Sequence, residues 1–239
     1  DRVSQSRPFM SLRYQRFDPS PCGFPRPRVP ILPQLDLGEM RLSHGGPGDA
    51  GGYGSGFADR AEYFYTRGRY ALFEAYRLAG VGSQGALLAP AYHCRTMLDP
   101  AISLAGDILL YPLKADLSPD LEVLARLIAT AERPVRALLL THYFGFAQEI
   151  EAVSALCARH GILLIEDCSH AYAGEYAGHR LGRLGDYAVA SPYKYFACED
   201  GGILVANRGA VLPVRRPQRA PWKAELRSVA RCLTSARDR

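Results

Sequence analysis

The chain is predicted to be an α/β protein, a three-layer α/β/α domain around a mostly parallel sheet. Three observations lead there. The runs ALLAP (86–90), DILLY (107–111), RALLLTH (136–142), GILLIED (161–167), YAVAS (187–191) and GILVAN (202–207) are nearly continuous in apolar residues, the mark of strands covered on both faces. Segments of helical periodicity alternate with most of them. At 239 residues with 48% hydrophobic content, the chain can bury one sizeable core and is expected to form one main domain.

The elements follow in order. Residues 1–60 are rich in Pro, Gly and Arg, and GGPGDAGGYGSG (45–56) holds seven glycines in twelve residues. Such a composition does not sustain a helix or a central strand, so an extended or partly disordered arm is expected there. From 68 the pattern changes: GRYALFEAYRLAGVG sets Ala71, Leu72, Ala75, Leu78 and Ala79 on one helical face and stops at glycine. The strand ALLAP comes next, then a helix over 93–105 and the strand DILLY. Ser118 and Pro119 read as an N-cap and a first-turn proline for a helix to about residue 131. RALLLTH and GILLIED are buried strands flanking a helix over 148–160, and YAVAS and GILVAN complete the domain, set at 61–210. In the tail, 211–239, Leu226, Val229, Ala230 and Leu233 recur at helical spacing, which predicts a packed amphipathic helix.

Charge and cysteine content narrow the function classes. The net charge is +5, but residues 211–239 carry eight basic and two acidic residues, so the body of the chain is close to neutral. A basic face on a tail helix is weak evidence for nucleic acid, and nucleic-acid binding is not expected. Six scattered cysteines with no Cys-x-x-Cys pair indicate neither a disulfide framework nor a metal site. No apolar run is long enough for a membrane span and residues 1–17 lack the apolar core of a secretory signal, so a soluble cytoplasmic protein is expected.

Lysine is nearly absent: 26 of 29 basic residues are arginine, and the exceptions are Lys114, Lys194 and Lys223. A guanidinium stays protonated, whereas a primary amine can lose its proton and attack a carbonyl. Lys194, in SPYKYFACEDGG, is therefore a candidate for chemistry. Other reactive side chains stand at strand ends: Tyr92 and His93 after one, His142 and Tyr143 after another, Asp167 at a third and Ser191 at a fourth. In a parallel α/β sheet these ends face one crevice. Arg67-Gly68-Arg69 opens the first helix, whose free amides and dipole favour a phosphate. A phosphate cradle, an aromatic plate, a strand-end aspartate and an isolated lysine together match the needs of pyridoxal 5'-phosphate.

The run IEDCSHAYAGEYAGHRLGRLGDYAVASPYKYFACEDGGILVAN (165–207) resembles the DegT/DnrJ/EryC1/StrS family of sugar aminotransferases, pyridoxal-phosphate enzymes of fold type I. Their pattern is E-D-x-x-Q-A, then G-x-x-x-G-x-x-G-D, a serine ahead of the lysine, and K followed by E-G-G and a strand. TRGRYALFEAYRLAG is similar to the family's S-G-x-x-A-L phosphate turn, and PAYHC and THYFG to its ligand loops, so the resemblance extends over 64–207. It implies that Lys194 binds the cofactor covalently and acts as the base, and that Asp167 partners the pyridine nitrogen. It further implies that Ser191 with the amides of Gly68 and Arg69 holds the phosphate, and that Tyr92 lies against the ring. His170 stands where the family has Gln, near the phenolic oxygen. Related sugar dehydratases carry histidine in place of the lysine, so Lys194 favours amino transfer.

The resemblance also implies an amino-acid donor, a ketosugar-like acceptor that is nucleotide-linked in the family, and a homodimer with the site at the subunit interface. Two departures stand out: Ser191 and Lys194 are three residues apart, closer than in many relatives, and Glu199-Asp200-Gly201-Gly202 replaces G-E-G-G. Family members continue past the last strand into a small C-terminal domain, expected here to be largely missing. The alternatives are a truncated cofactor-binding or interaction protein without catalysis, and other chemistry on the same cofactor, such as sugar dehydration or sulfur removal from cysteine. No metal site is expected.

Overall fold

The computed structural model describes residues 61–172, 174–196 and 200–212, together with Trp222, Leu226 and Ala230. Along the chain come β1 (Ala61–Tyr65), α1 (Gly68–Ala79), β2 (Ala86–Pro90), α2 (Arg95–Ser103) and β3 (Asp107–Tyr111). They are followed by α3 (Leu121–Thr130), β4 (Val135–Thr141), α4 (Ile150–His160) and β5 (Leu163–Asp167). A short hairpin, β6 (Glu175–Tyr176) with β7 (His179–Arg180), precedes β8 (Tyr187–Ala190) and β9 (Gly202–Ala206). The sheet has seven strands in the order β1-β9-β8-β5-β4-β2-β3.

Successive strand residues point to opposite faces, and the apolar runs fill both. Leu87, Ala89, Leu139, Ile165, Val189 and Leu204 pack with Leu72, Ala75 and Tyr76 of α1 and Leu98 of α2. Leu88, Leu138, Leu140 and Leu164 pack with Leu124 of α3 and Ile150, Val153 and Leu156 of α4. This is the three-layer arrangement expected, and it explains why the strands read as continuous rather than alternating. Helices α1 and α4 end at Gly80 and Gly161, both left-handed, with their N–H groups closing on carbonyls of the last turn.

The sheet departs from uniform parallel pairing at one strand. β9 runs antiparallel to both β8 and β1, while the pairs β2–β3, β2–β4, β4–β5 and β5–β8 are parallel. Among the described residues between β8 and β9 there is no crossover helix, so β9 can lie back along β8. β1 lies ahead of the first periodicity seen in the sequence, at residue 68. Its partly exposed AEYFY edge lacks the continuous apolar signature of the buried strands.

Two local expectations are corrected. The cap of α3 is Asp120, whose side chain accepts from the Glu122 and Val123 amides. Ser118 instead donates its amide and hydroxyl to Asp116 Oδ1, closing a turn before the helix. In the tail, Trp222, Leu226 and Ala230 are helical, but Leu226 is 57% exposed and is not packed. Helical spacing sets which residues share a face and says nothing of what covers it. The expected arm at 1–60, and Val229 and Leu233, lie outside the described residues. Among the described residues, no helix is long and apolar enough to cross a membrane.

Candidate functional site

The carboxyl ends of β2, β4, β5 and β8 and the start of α1 surround a cavity of about 730 Å³. All seven residues that the resemblance assigns to the cofactor line it: Gly68, Arg69, Tyr92, Asp167, His170, Ser191 and Lys194; His93 and Tyr143 line it too, and His142 does not. Parallel strands terminate together, so side chains distant in sequence arrive at one edge.

At one end, α1 begins at Gly68, and the Arg67 side chain makes no capping bond to the helix. A helix cannot pair its own first amides, and here they border a space lined also by Ser191 and Ser169. The two hydroxyls lie 3.0 Å apart. A Cβ on residue 68 would stand 2.4 Å from Ser191 Oγ, so only glycine lets the helix approach this closely. Ser169 was not recognised in the sequence. Its amide also donates to Asp167 Oδ1 at 2.9 Å, orienting that carboxylate.

Asp167 is buried at the end of β5, and its carbonyl accepts from the His142 amide. Ser191 is also buried. Lys194 closes a single 3-10 turn begun by Pro192, its amide donating to the Ser191 carbonyl at 3.1 Å. That turn brings the lysine to the cavity within three residues of the serine.

An aromatic wall forms the outer side. Tyr92 is 56% exposed, so it is not a core residue. Its ring centroid lies 5.5 Å from that of Tyr143 and 6.4 Å from that of Phe144. The Tyr143 hydroxyl donates to the Tyr92 carbonyl. Phe144 adopts a left-handed backbone (φ 54°) and stacks on His170 with centroids 5.7 Å apart. Burial, helped by the nearby Lys194 charge and opposed by Asp167, holds the His170 imidazole below its ordinary pKa. Burial likewise raises the Tyr143 phenol above its usual range. No local pattern announced Tyr143 and Phe144 beyond their position after a strand.

Below the site lies a network around Glu166, which the sequence did not single out, and His142, which it did. The buried Glu166 accepts from the amides of Gly182, Leu184 and Gly185 and faces His142 Nε2 at 3.2 Å. His142 Nδ1 accepts from the Gln148 amide, so the neutral ring carries its proton on Nε2 and donates it to Glu166. Cys168 completes a cluster of ligand-type atoms within 4.8 Å of one another. Those atoms suit a polar anchor better than a metal: both histidine nitrogens and the carboxylate are already bonded, and burial keeps the thiol protonated.

The cavity fits pyridoxal phosphate on two observations. His170 Nδ1 is buried at its wall with no hydrogen-bond partner among the described residues, which suits a polar ligand. The glycine-lined cradle at Ser191 leaves room for an anion beside helix amides.

Comparison with known proteins supplies the family. Residues 65–213 match the DegT/DnrJ/EryC1/StrS aminotransferase family. The chain is 28% identical over 169 residues to an L-glutamine:2-deoxy-scyllo-inosose aminotransferase of Streptomyces kanamyceticus, covering 70% of this chain and 37% of that protein. It is 30% identical over 147 residues to an L-glutamine:scyllo-inosose aminotransferase of Streptomyces griseus, covering 59% and 34%. Among solved structures, 3-amino-5-hydroxybenzoic acid synthase superposes with a TM-score of 0.59 at 24% identity, covering 65% of this chain and 41% of that one. The sugar aminotransferase CalS13 from Micromonospora echinospora gives 0.54 at 25% identity, covering 61% and 41%. The chain thus spans little more than a third of the length of these curated relatives. With the family match extending over more than half of its residues, the chain belongs to the DegT/DnrJ/EryC1/StrS aminotransferase family.

Proposed function

We propose that this chain binds pyridoxal phosphate and carries the reacting centre of an aminotransferase that moves an amino group from an amino acid to a ketosugar-like acceptor. The observation that carries the reading is the convergence of Lys194, Asp167, Ser191 and the first turn of α1 on one cavity. The Gly68 and Arg69 amides, with Ser191 Oγ, would take the phosphate, where the helix dipole favours negative charge. The Asp167 carboxylate, oriented by the Ser169 amide, would keep the pyridine nitrogen protonated. When bound, the cofactor supplies an electron sink conjugated to the donor's α-carbon.

The chain's own residues then handle protons and solvent. Lys194 Nζ would take the α-proton of the donor and return it to the cofactor's former aldehyde carbon, a role open to an amine and closed to a guanidinium. Tyr92, Phe144 and His170 wall the cavity and limit water at the reacting atoms. Tyr92 and Phe144 remain exposed at the mouth, consistent with completion of the site by a second copy in a homodimer. The names of the relatives point to glutamine as a donor to test and to cyclic polyhydroxy ketones as acceptors to test.

The test is the visible absorption of the purified protein with pyridoxal phosphate, beside Lys194→Ala. A yellow band that needs Lys194 and bleaches with glutamine or glutamate supports amino transfer. A band that no amino donor bleaches favours cofactor binding without catalysis, and absence of the band in folded protein refutes the reading.

A further inference from the structure

We infer that Arg67 is a positioning residue that fastens the lysine-bearing turn to the start of α1. The inference rests on the proposed role of Lys194 for its functional meaning, although the contact stands independently of it. Arg67 Cζ lies 5.2 Å from the centroid of the Tyr193 ring, and Nη2 donates to Asp200 Oδ1 at 2.8 Å. Tyr193 immediately precedes Lys194, and Asp200 leads into β9. One side chain therefore grips the chain on both sides of the lysine.

The backbone around this contact is equally close. The Gly201 amide donates to the Thr66 carbonyl at 2.9 Å, and Arg67 pairs with Gly201 as an isolated parallel bridge. A Cβ on Gly202 would stand 2.4 Å from the carbonyl carbon and oxygen of Arg67. Residue 67 also heads α1 in an extended conformation, with its side chain making no bond to the helix amides. The segment that presents the first amides of α1 is thereby joined to the segment that presents the amine.

Arginine suits this position because one planar group can stack on a ring and donate in its own plane. Lysine would keep the charge and lose that combination. The two side chains of the ion pair are 38% and 44% exposed, so solvent screening makes the pair weak as a source of stability. Its effect is geometric: it sets the distance from Lys194 Nζ to the cradle formed by Gly68 and Ser191, and leaves the sheet to its own core.

The test is amide hydrogen exchange of the 239-residue chain without cofactor, in wild type, Arg67→Ala, Arg67→Lys, Asp200→Asn and the double variant Arg67→Ala/Asp200→Asn. Arg67→Ala is expected to speed exchange at the Lys194, Tyr195 and Gly201 amides about five- to tenfold, with β4 and β5 unchanged. Asp200→Asn is expected to give a smaller increase, the double variant no more than Arg67→Ala alone, and Arg67→Lys less than full recovery. Unchanged exchange at those three amides, uniform acceleration across the sheet, additive single effects or full recovery by lysine would each overturn the inference. Borohydride fixation of pyridoxal phosphate on Lys194, followed by mass spectrometry, supplies the functional arm, and Arg67→Ala is expected to lower the yield at subsaturating cofactor. If wild type takes up no cofactor, the proposed function fails, while the exchange measurement still decides the contact.

Discussion

Replacing Glu166 by glutamine changes one atom in a fully buried side chain and should destabilise the domain severely. The carboxylate accepts from four donors: the Leu184 and Gly185 amides at Oε1, and the Gly182 amide and His142 Nε2 at Oε2. A glutamine NH₂ cannot accept, so whichever way the amide turns, two donors face a third. The histidine cannot resolve this by changing tautomer, because Nδ1 already accepts from the Gln148 amide. Each hydrogen bond to a buried charged group contributes about 1.5–3 kcal/mol, so losing two predicts a loss of about 3–6 kcal/mol. Against a typical domain stability of about 5–15 kcal/mol this is a large fraction. Urea unfolding followed by circular dichroism would measure it, with the midpoint falling at unchanged slope. A loss below about 1 kcal/mol would refute the four-donor network as a buried anchor.

Two further outcomes are expected. Asp120→Ala should lower the urea midpoint through loss of the α3 cap, and Ser118→Ala by less than half as much; the reverse ranking would restore Ser118 as the cap. For His170, the folded-state pKa is lowered, first by burial and then by the Lys194 charge. The unfolded chain therefore binds the proton more readily, and stability should fall as pH drops below about 6.5, the usual histidine value. Urea midpoints compared between neutral and mildly acidic pH should show a shallower dependence in His170→Gln, and an unchanged dependence would exclude His170 as its source.

The buried strands and the lysine were legible because their signals are local. A strand covered on both faces must be apolar at nearly every position, as in ALLAP and GILLIED. An amine is distinguishable from a guanidinium wherever it occurs, and Lys194 stands out in a chain that otherwise uses arginine. The order of motifs from 64 to 207 added the family and, with it, expected partners for each cofactor group. What the sequence determined by itself was the buried strands, the helices between them and the residue types that stand at the strand ends.

Tertiary structure decided which groups meet. GILVAN is as apolar as its neighbours, yet β9 runs against them, because burial on both faces does not encode strand direction. Glu166 looked like one half of a motif, and only the fold brings His142 and the amides of Gly182, Leu184 and Gly185 around it. Arg67 reaches Tyr193 and Asp200, more than a hundred residues away in the chain. Hydrogen bonds and ring contacts depend on distance and angle in space, and these are set when β2, β4, β5 and β8 end side by side beneath the first turn of α1.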